Sequence, residues 1–231
     1  MNPLAILGVG TGVGKTHVAA QLLRAAHAQR PGGLAPFKPL ESGTDLNDGV
    51  PADAAALLEA SSLTLPLSLV CPWPLPRPVA PAEELERCGI ELSLDALVAA
   101  AERVRSEAQT QSVLVEGAGG VFSPLSWDFH ALDLCAAMQA GIWLVVRDEL
   151  GALSHALTAL EVLRHRKHIV LGVILNRFDG EDSVEHGANQ RALARLGVNE
   201  AFLADENGLD EEILRRSLRW IDQGEVDVRR R

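Results

Sequence analysis

The stretch Gly8-Val9-Gly10-Thr11-Gly12-Val13-Gly14-Lys15-Thr16 constrains this chain more than any other. An apolar run, Leu4-Ala5-Ile6-Leu7, precedes it, and a helix-periodic segment, Val18 to Ala28, follows it. Strand, glycine-rich turn, Gly-Lys-Thr and helix together make a phosphate-binding loop. Its small residues let backbone N–H groups converge on an anion at a helix N-terminus, where Lys15 adds a positive charge and the Thr16 hydroxyl can ligate Mg²⁺. A lysine at a helix start opposes the helix dipole unless an anion is bound there, so a turn that merely packs closely does not account for Lys15. The spacing departs from G-x-x-x-x-G-K-[ST]: Val9 stands where the first glycine belongs, and Gly8 lies one residue earlier.

Further apolar runs at Leu34–Phe37, Val113–Val115, Ile142–Val146 and Ile169–Leu175 are continuous rather than alternating, the pattern of parallel strands covered on both faces. Helical patterns lie between them, at Thr16–Ala28, Ala52–Ala60, Leu94–Ala108, Ala131–Ala137, Ser154–Arg164, Val184–Arg195 and Asp210–Trp220, with Ser93 and Asp210 as N-caps. The reading is one α/β domain over residues 1–231, a doubly wound, mostly parallel sheet flanked by helices, of the P-loop NTPase kind. Leu65 to Pro81, which holds six prolines, reads as an ordered connection crossing the surface.

A formal charge of −10 argues against general nucleic-acid binding, and the basic end Arg229-Arg230-Arg231 reads as a solvated terminus. No apolar run approaches the roughly 20 residues of a membrane span, and no charged start leads into an apolar stretch, so no membrane association and a cytoplasmic location are expected. Cys71, Cys88 and Cys135 lack C-x-x-C spacing and read as buried or half-buried free thiols.

In a doubly wound sheet, ligands sit at the carboxyl ends of the strands. After Leu34–Phe37 comes Lys38-Pro39-Leu40-Glu41-Ser42-Gly43, whose lysine either points a second cation towards the loop or is simply exposed. After Val113–Val115 comes Glu116-Gly117-Ala118-Gly119-Gly120. A carboxylate before small residues can hold Mg²⁺ while backbone approaches a phosphate; the alternative is a solvated glutamate at a turn. Asp53 is either a partner for a helix dipole or a second metal carboxylate.

Taken in order over residues 4 to about 180, Gly8 through Thr16 with its extra residue, Lys38-Pro39 with Ser42-Gly43, Asp53, Glu116 through Gly120, Leu150-Gly151 with His155, and Asn176 resemble the dethiobiotin synthetases. These belong to a deviant P-loop group that also contains cell-division and partition ATPases. The resemblance implies an ATP- and Mg²⁺-dependent cyclo-ligase of biotin biosynthesis. It would close a cyclic urea from 7,8-diaminononanoate (diaminopelargonic acid) and CO₂, release ADP and phosphate, and work as a homodimer. It implies Lys15, Lys38 and Thr11 as catalytic groups, and Thr16, Asp53 and Glu116 as metal ligands. Nucleotide contacts would come from Gly12, Val13, Gly14, Lys15, Thr16, His17, Asp53, Glu116, Gly117, Ala118, Gly119, Asn176 and Arg177, with Asn176 reading the adenine edge. Ser42 and Lys38 would touch the diamine. His17 also reads as an ordinary helix residue.

Three departures from the pattern bear on this. Asp148-Glu149 lie in the segment that would receive the substrate carboxylate across a dimer interface, and would repel it unless Arg147 or the helix beginning near Ser154 dominates. Glu41 stands beside the diamine site, set either to favour ammonium groups or to face solvent. Glu200 to Ala204 replaces the family's base-pocket stretch, leaving Phe202 to be core or base-stacking. The alternatives to a dethiobiotin synthetase are a related ATPase acting on another amine and a partition-type switch ATPase. The latter generally carries a further lysine early in the loop, where this chain has Val9 and Gly10.

Overall fold

The computed structural model describes residues 2–177, 185 and 187–225. Its strands are β1 (Leu4–Gly8), β2 (Leu34–Phe37), β3 (Leu40–Ser42), β4 (Trp73–Leu75), β5 (Ser112–Gly120), β6 (Gly141–Arg147), β7 (Ile169–Arg177), β8 (Ala201–Asp205) and β9 (Gly208–Leu209). Its helices are α1 (Lys15–Gln29), α2 (Ala52–Ser61), α3 (Leu67–Val70), α4 (Pro81–Cys88), α5 (Leu94–Ala108), α6 (Ala131–Met138), α7 (Ala152–His165), α8 (Ala188–Arg195) and α9 (Glu211–Gln223).

The main sheet runs β2-β5-β1-β6-β7-β8-β9 and is parallel throughout except for β9, which returns antiparallel to β8. Alternate residues of a strand face opposite sides. Leu4 and Ile6 accordingly join a core with Val18, Leu22 and Leu23 of α1 and Trp220 and Ile221 of α9. Ala5 and Leu7 join one with Leu97 of α5, Leu132 of α6 and Leu160 of α7. Both faces are covered, which is why the strands read as unbroken apolar runs. The two expected caps are present: Ser93 Oγ accepts from Ala96 N at 3.1 Å, and the Asp210 carboxylate from Glu212 N at 2.9 Å.

The proline-rich segment is more structured than a surface connection. Pro66 caps α3, Pro81 opens α4 where a missing N–H does no harm, and β4 pairs in parallel with β3, Leu40 opposite Trp73 and Ser42 opposite Leu75. The segment therefore folds back against the residues that follow Lys38. Ala201 to Asp205 is likewise a strand, and Phe202 is core, its ring edge-on to Trp143 at 5.8 Å with the Arg216 guanidinium 5.2 Å from its centre. Cys71 and Cys135 are buried free thiols, whereas Cys88 is exposed, at the end of α4 rather than inside it. Val184 and the tail Arg229-Arg230-Arg231 lie outside the described residues. Among the described residues no helix is long and apolar enough to cross a membrane.

Candidate active site

Parallel register decides which side chains meet at the carboxyl ends of the strands. Phe37 lies opposite Val115, and Ile6 opposite Glu116, so Lys38 emerges beside Glu116 and Glu116 beside the phosphate-binding loop. Between Ile6 and Gly8 on β1, β5 advances from Glu116 to Gly120, a slip that swells Gly117-Ala118-Gly119 over the loop. Gly119 takes φ +65°, and a Cβ there would lie 2.0 Å from Ser123 Oγ, so the swelling requires glycine. Gly14, the N-cap of α1, takes φ 84° and turns the loop into the helix.

Lys38 is only 4 % exposed and Glu116 fully buried, so neither is the solvated residue of the simpler reading. Lys38 Nζ donates to Asp53 Oδ2 at 3.0 Å and to Glu116 Oε1. Thr16 Oγ1 donates to the same Glu116 oxygen at 2.9 Å. Glu116 Oε2 and Ser42 Oγ are buried without a hydrogen-bond partner among the described residues. Burial works against the Lys38 ammonium, but Glu116 and Asp53 outweigh it and raise its pKa above the ordinary lysine value. Lys15 makes no ion pair among the described residues: burial, then the neighbouring Lys38, lowers its pKa to about 8 against the pull of Glu116 and Asp53, and its Nζ donates to Gly10 O at 2.8 Å.

These groups line one cavity of about 570 Å³. It gathers Thr11, Gly12, Gly14, Lys15, Thr16, Lys38, Ser42, Asp53, Glu116, Ala118 and Gly119. An apolar wall, Leu40 with Pro78, Val79, Ala80 and Pro81, completes the lining together with Ser123, whose Oγ accepts from Gly120 N at 2.8 Å. This wall was missed in the sequence. Its only signal was the proline cluster, which gives turns but not the pairing of β4 with β3 that brings them here.

Glu41 is buried rather than facing solvent. It lines the cavity, yet its two oxygens accept from Asp53 N and Ala54 N at 2.9 and 3.0 Å, capping α2 and fixing where Asp53 stands. Burial raises its pKa despite those N–H groups. Asp53 is thus both in the first turn of a helix and a partner of Lys38.

Val13, His17, Gly117, Asn176 and Arg177 do not line this cavity. His17 Nε2 lies 3.2 Å from Asp205 O. Asn176, fully buried at the end of β7, donates through Nδ2 to Val13 O at 3.0 Å, while its Oδ1 has no hydrogen-bond partner among the described residues. The feared repulsion by Asp148 and Glu149 is largely neutralised. Asp148 is buried and accepts from Asn189 Nδ2 at 2.8 Å and Arg177 Nη1 at 3.4 Å, and Glu149 pairs with Arg147 at 3.3 Å.

Among the described residues, no group of three or more His, Cys, Asp or Glu side chains could hold a metal ion. Two carboxylates and a hydroxyl, one carboxylate oxygen of them buried and unpartnered, instead fit a hard cation that shares its coordination with phosphate and water.

A family model described as an AAA domain matches residues 2–208. The ATP-dependent dethiobiotin synthetase BioD of Anaeromyxobacter dehalogenans strain 2CP-1 is 38 % identical over 200 residues, 87 % of each chain. That of Methylobacterium nodulans is 34 % identical over 220 residues, 92 % of this chain and 97 % of its own. The chain belongs to the dethiobiotin synthetase family. Relatives of this name over nearly their whole length make it an ATP-dependent enzyme of the ligase class. The MinD cell division protein of Aquifex aeolicus, 13 % identical with a TM-score of 0.50 over 98 % of this chain and 88 % of its own, shares the P-loop fold.

Proposed function

We propose that this chain makes dethiobiotin from 7,8-diaminononanoate, CO₂ and MgATP, releasing ADP and phosphate, as a cytoplasmic homodimer built from one domain over residues 1–231. The observation that carries the reading is the meeting, in one cavity, of a phosphate-binding loop with Lys38 and Glu116. A carbamate formed on one substrate amine attacks the γ-phosphorus, and the second amine then attacks the carbamoyl carbon and expels phosphate, closing the ring. Phosphoryl transfer asks for positioning and charge neutralisation rather than covalent help from the protein. Lys15 serves the β- and γ-phosphates, and its present bond to Gly10 O is one that an anion would replace. Lys38 neutralises the carbamate and the charge developing on the transferred group, and Thr11 offers a hydroxyl beside it. Ser42 has a buried, unpartnered Oγ to offer an amine.

Thr16, Asp53 and Glu116 would hold Mg²⁺, which supplies charge neutralisation on the phosphate oxygens. Asn176 would read adenine through its unpartnered Oδ1, with Gly12, Val13, Gly14, His17, Gly117, Ala118, Gly119 and Arg177 completing the nucleotide contacts. The substrate carboxylate is received by the start of α7 in a second copy. In support, Asp148 and Glu149 are already paired, and Leu150 beside that helix is 90 % exposed.

The test is incubation of the purified chain with ATP, Mg²⁺, bicarbonate and 7,8-diaminononanoate, with mass spectrometry for dethiobiotin. Product formation is expected; ATP turnover without dethiobiotin would overturn the substrate assignment. Sedimentation of the active protein as a monomer would remove the dimer.

A further inference from the structure

Asp53 and Glu116 already hold a cation, and it is a side chain of this chain. We infer that Lys38 stands in for the divalent metal in the nucleotide-free protein and leaves the two carboxylates when metal and nucleotide arrive, so that its ammonium reaches the acceptor only in the loaded site. This rests on the reading of Thr16, Asp53 and Glu116 as metal ligands.

Lys38 Nζ lies 3.0 Å from Asp53 Oδ2 and also donates to Glu116 Oε1, and Lys38 itself is almost wholly buried. Without that ammonium, the fully buried Glu116 carboxylate would keep only the Thr16 hydroxyl and the field of Lys15, so the pairing is a strong one. A divalent cation bound by the same two carboxylates would sit within a few ångströms of the ammonium, where burial screens the repulsion little. The two cations therefore compete. The Thr16 hydroxyl does not oppose the exchange, since it can keep its proton on Glu116 while an oxygen lone pair faces a metal. Pro39 holds the backbone after Lys38, and Lys38 N donates to Val70 O at 2.9 Å, so the movement belongs to the flexible side chain, with the cavity and Ser42 on its open side. Lys38 would then serve the acceptor only after the phosphoryl donor is in place.

Binding of Mn²⁺ alone, followed by electron paramagnetic resonance on nucleotide-free protein, tests this without any turnover. Lys38→Met should bind Mn²⁺ at least about tenfold more tightly than wild type, Lys38→Arg should stay at the wild-type level, and adding Asp53→Asn to Lys38→Met should abolish the gain. Equal affinity of Lys38→Met and wild type would overturn the exchange. If wild type nevertheless holds Mn²⁺ with a non-hydrolysable ATP analogue, the metal-ligand reading survives that failure; if it does not, both fall. On wild-type protein alone, the ¹⁵N-labelled Lys38 ammonium resonance should change with analogue plus Mg²⁺ and stay put with analogue alone, and the same response to both would also overturn the exchange.

Discussion

Two buried charge clusters stand at the carboxyl ends of neighbouring parts of the same sheet, and they differ in what they leave over. Around Asp148, the carboxylate is taken up by Asn189 and Arg177, and the backbone N–H of Asp148 donates to Asn176 O at 2.9 Å. Around Lys38, the ammonium is shared between Asp53 and Glu116, yet Glu116 Oε2 and nearby Ser42 Oγ have no partner among the described residues, and the group lines a cavity. Buried polar atoms are ordinarily paired, because leaving one unpaired costs about 1–3 kcal/mol. A cluster that closes on itself needs no ligand to explain it, whereas one with acceptors turned to a cavity does. The Asp148 carboxylate itself is a fastening between β6, β7 and α8, beside the proposed nucleotide contacts Asn176 and Arg177, and the second cluster is where phosphoryl transfer is expected.

The sharpest way to break this contrast is to remove the cations of the open cluster. Lys15→Ala and Lys38→Ala should each lower kcat/KM for dethiobiotin formation by about 10²–10³ or more. Circular dichroism should show both folded; near-normal turnover in Lys38→Ala would erase the distinction. Next in size, Asp148→Ala takes one acceptor from the buried Asn189 Nδ2 and one carboxylate partner from Arg177, and should lower stability by about 1–3 kcal/mol in urea denaturation. A smaller effect is expected from Ser123→Ala, which takes the acceptor from Gly120 N and should cost about 1 kcal/mol by the same measurement, with the swelling of β5 loosened.

The smallest effect concerns a third cluster, behind the apolar wall. Arg87, joined by Arg77, holds the Glu84 carboxyl down at about 2 from its ordinary 4.5. A depressed carboxyl pKa contributes stability above the unfolded value and loses it as pH falls through the folded one. The pairing should therefore be intact above pH 4.5 and fade as pH falls towards 2. Thermal midpoints over that range should fall less steeply for Glu84→Gln than for wild type, and identical slopes would show that the cluster carries no pH dependence.

What was legible in the sequence follows the same division. The parallel core strands announced themselves because burial on both faces demands continuous apolar residues, and the open cluster because each member directly follows such a strand or opens a helix. The β3–β4 pair was hidden by Pro72, Pro74 and Pro76, which mimic loop composition but tolerate the edge of a two-stranded sheet. Glu41 could not be recognised as the cap of α2, since it reaches Asp53 N and Ala54 N across a turn containing Gly43 and the 3₁₀ segment Thr44–Asn47. The quieting of Asp148 depends on Asn189, 41 residues further on, whose arrival is a matter of tertiary packing alone.

The measurement that tests the contrast most directly is kcat for dethiobiotin formation per folded molecule, taken side by side for wild type, Lys38→Ala and Asp148→Ala at a temperature where all three are folded. The account predicts that Asp148→Ala stays within about threefold of wild type despite its lost stability, while Lys38→Ala falls by about 10² or more with its fold intact. Comparable losses in the two variants, or an active Lys38→Ala, would contradict it.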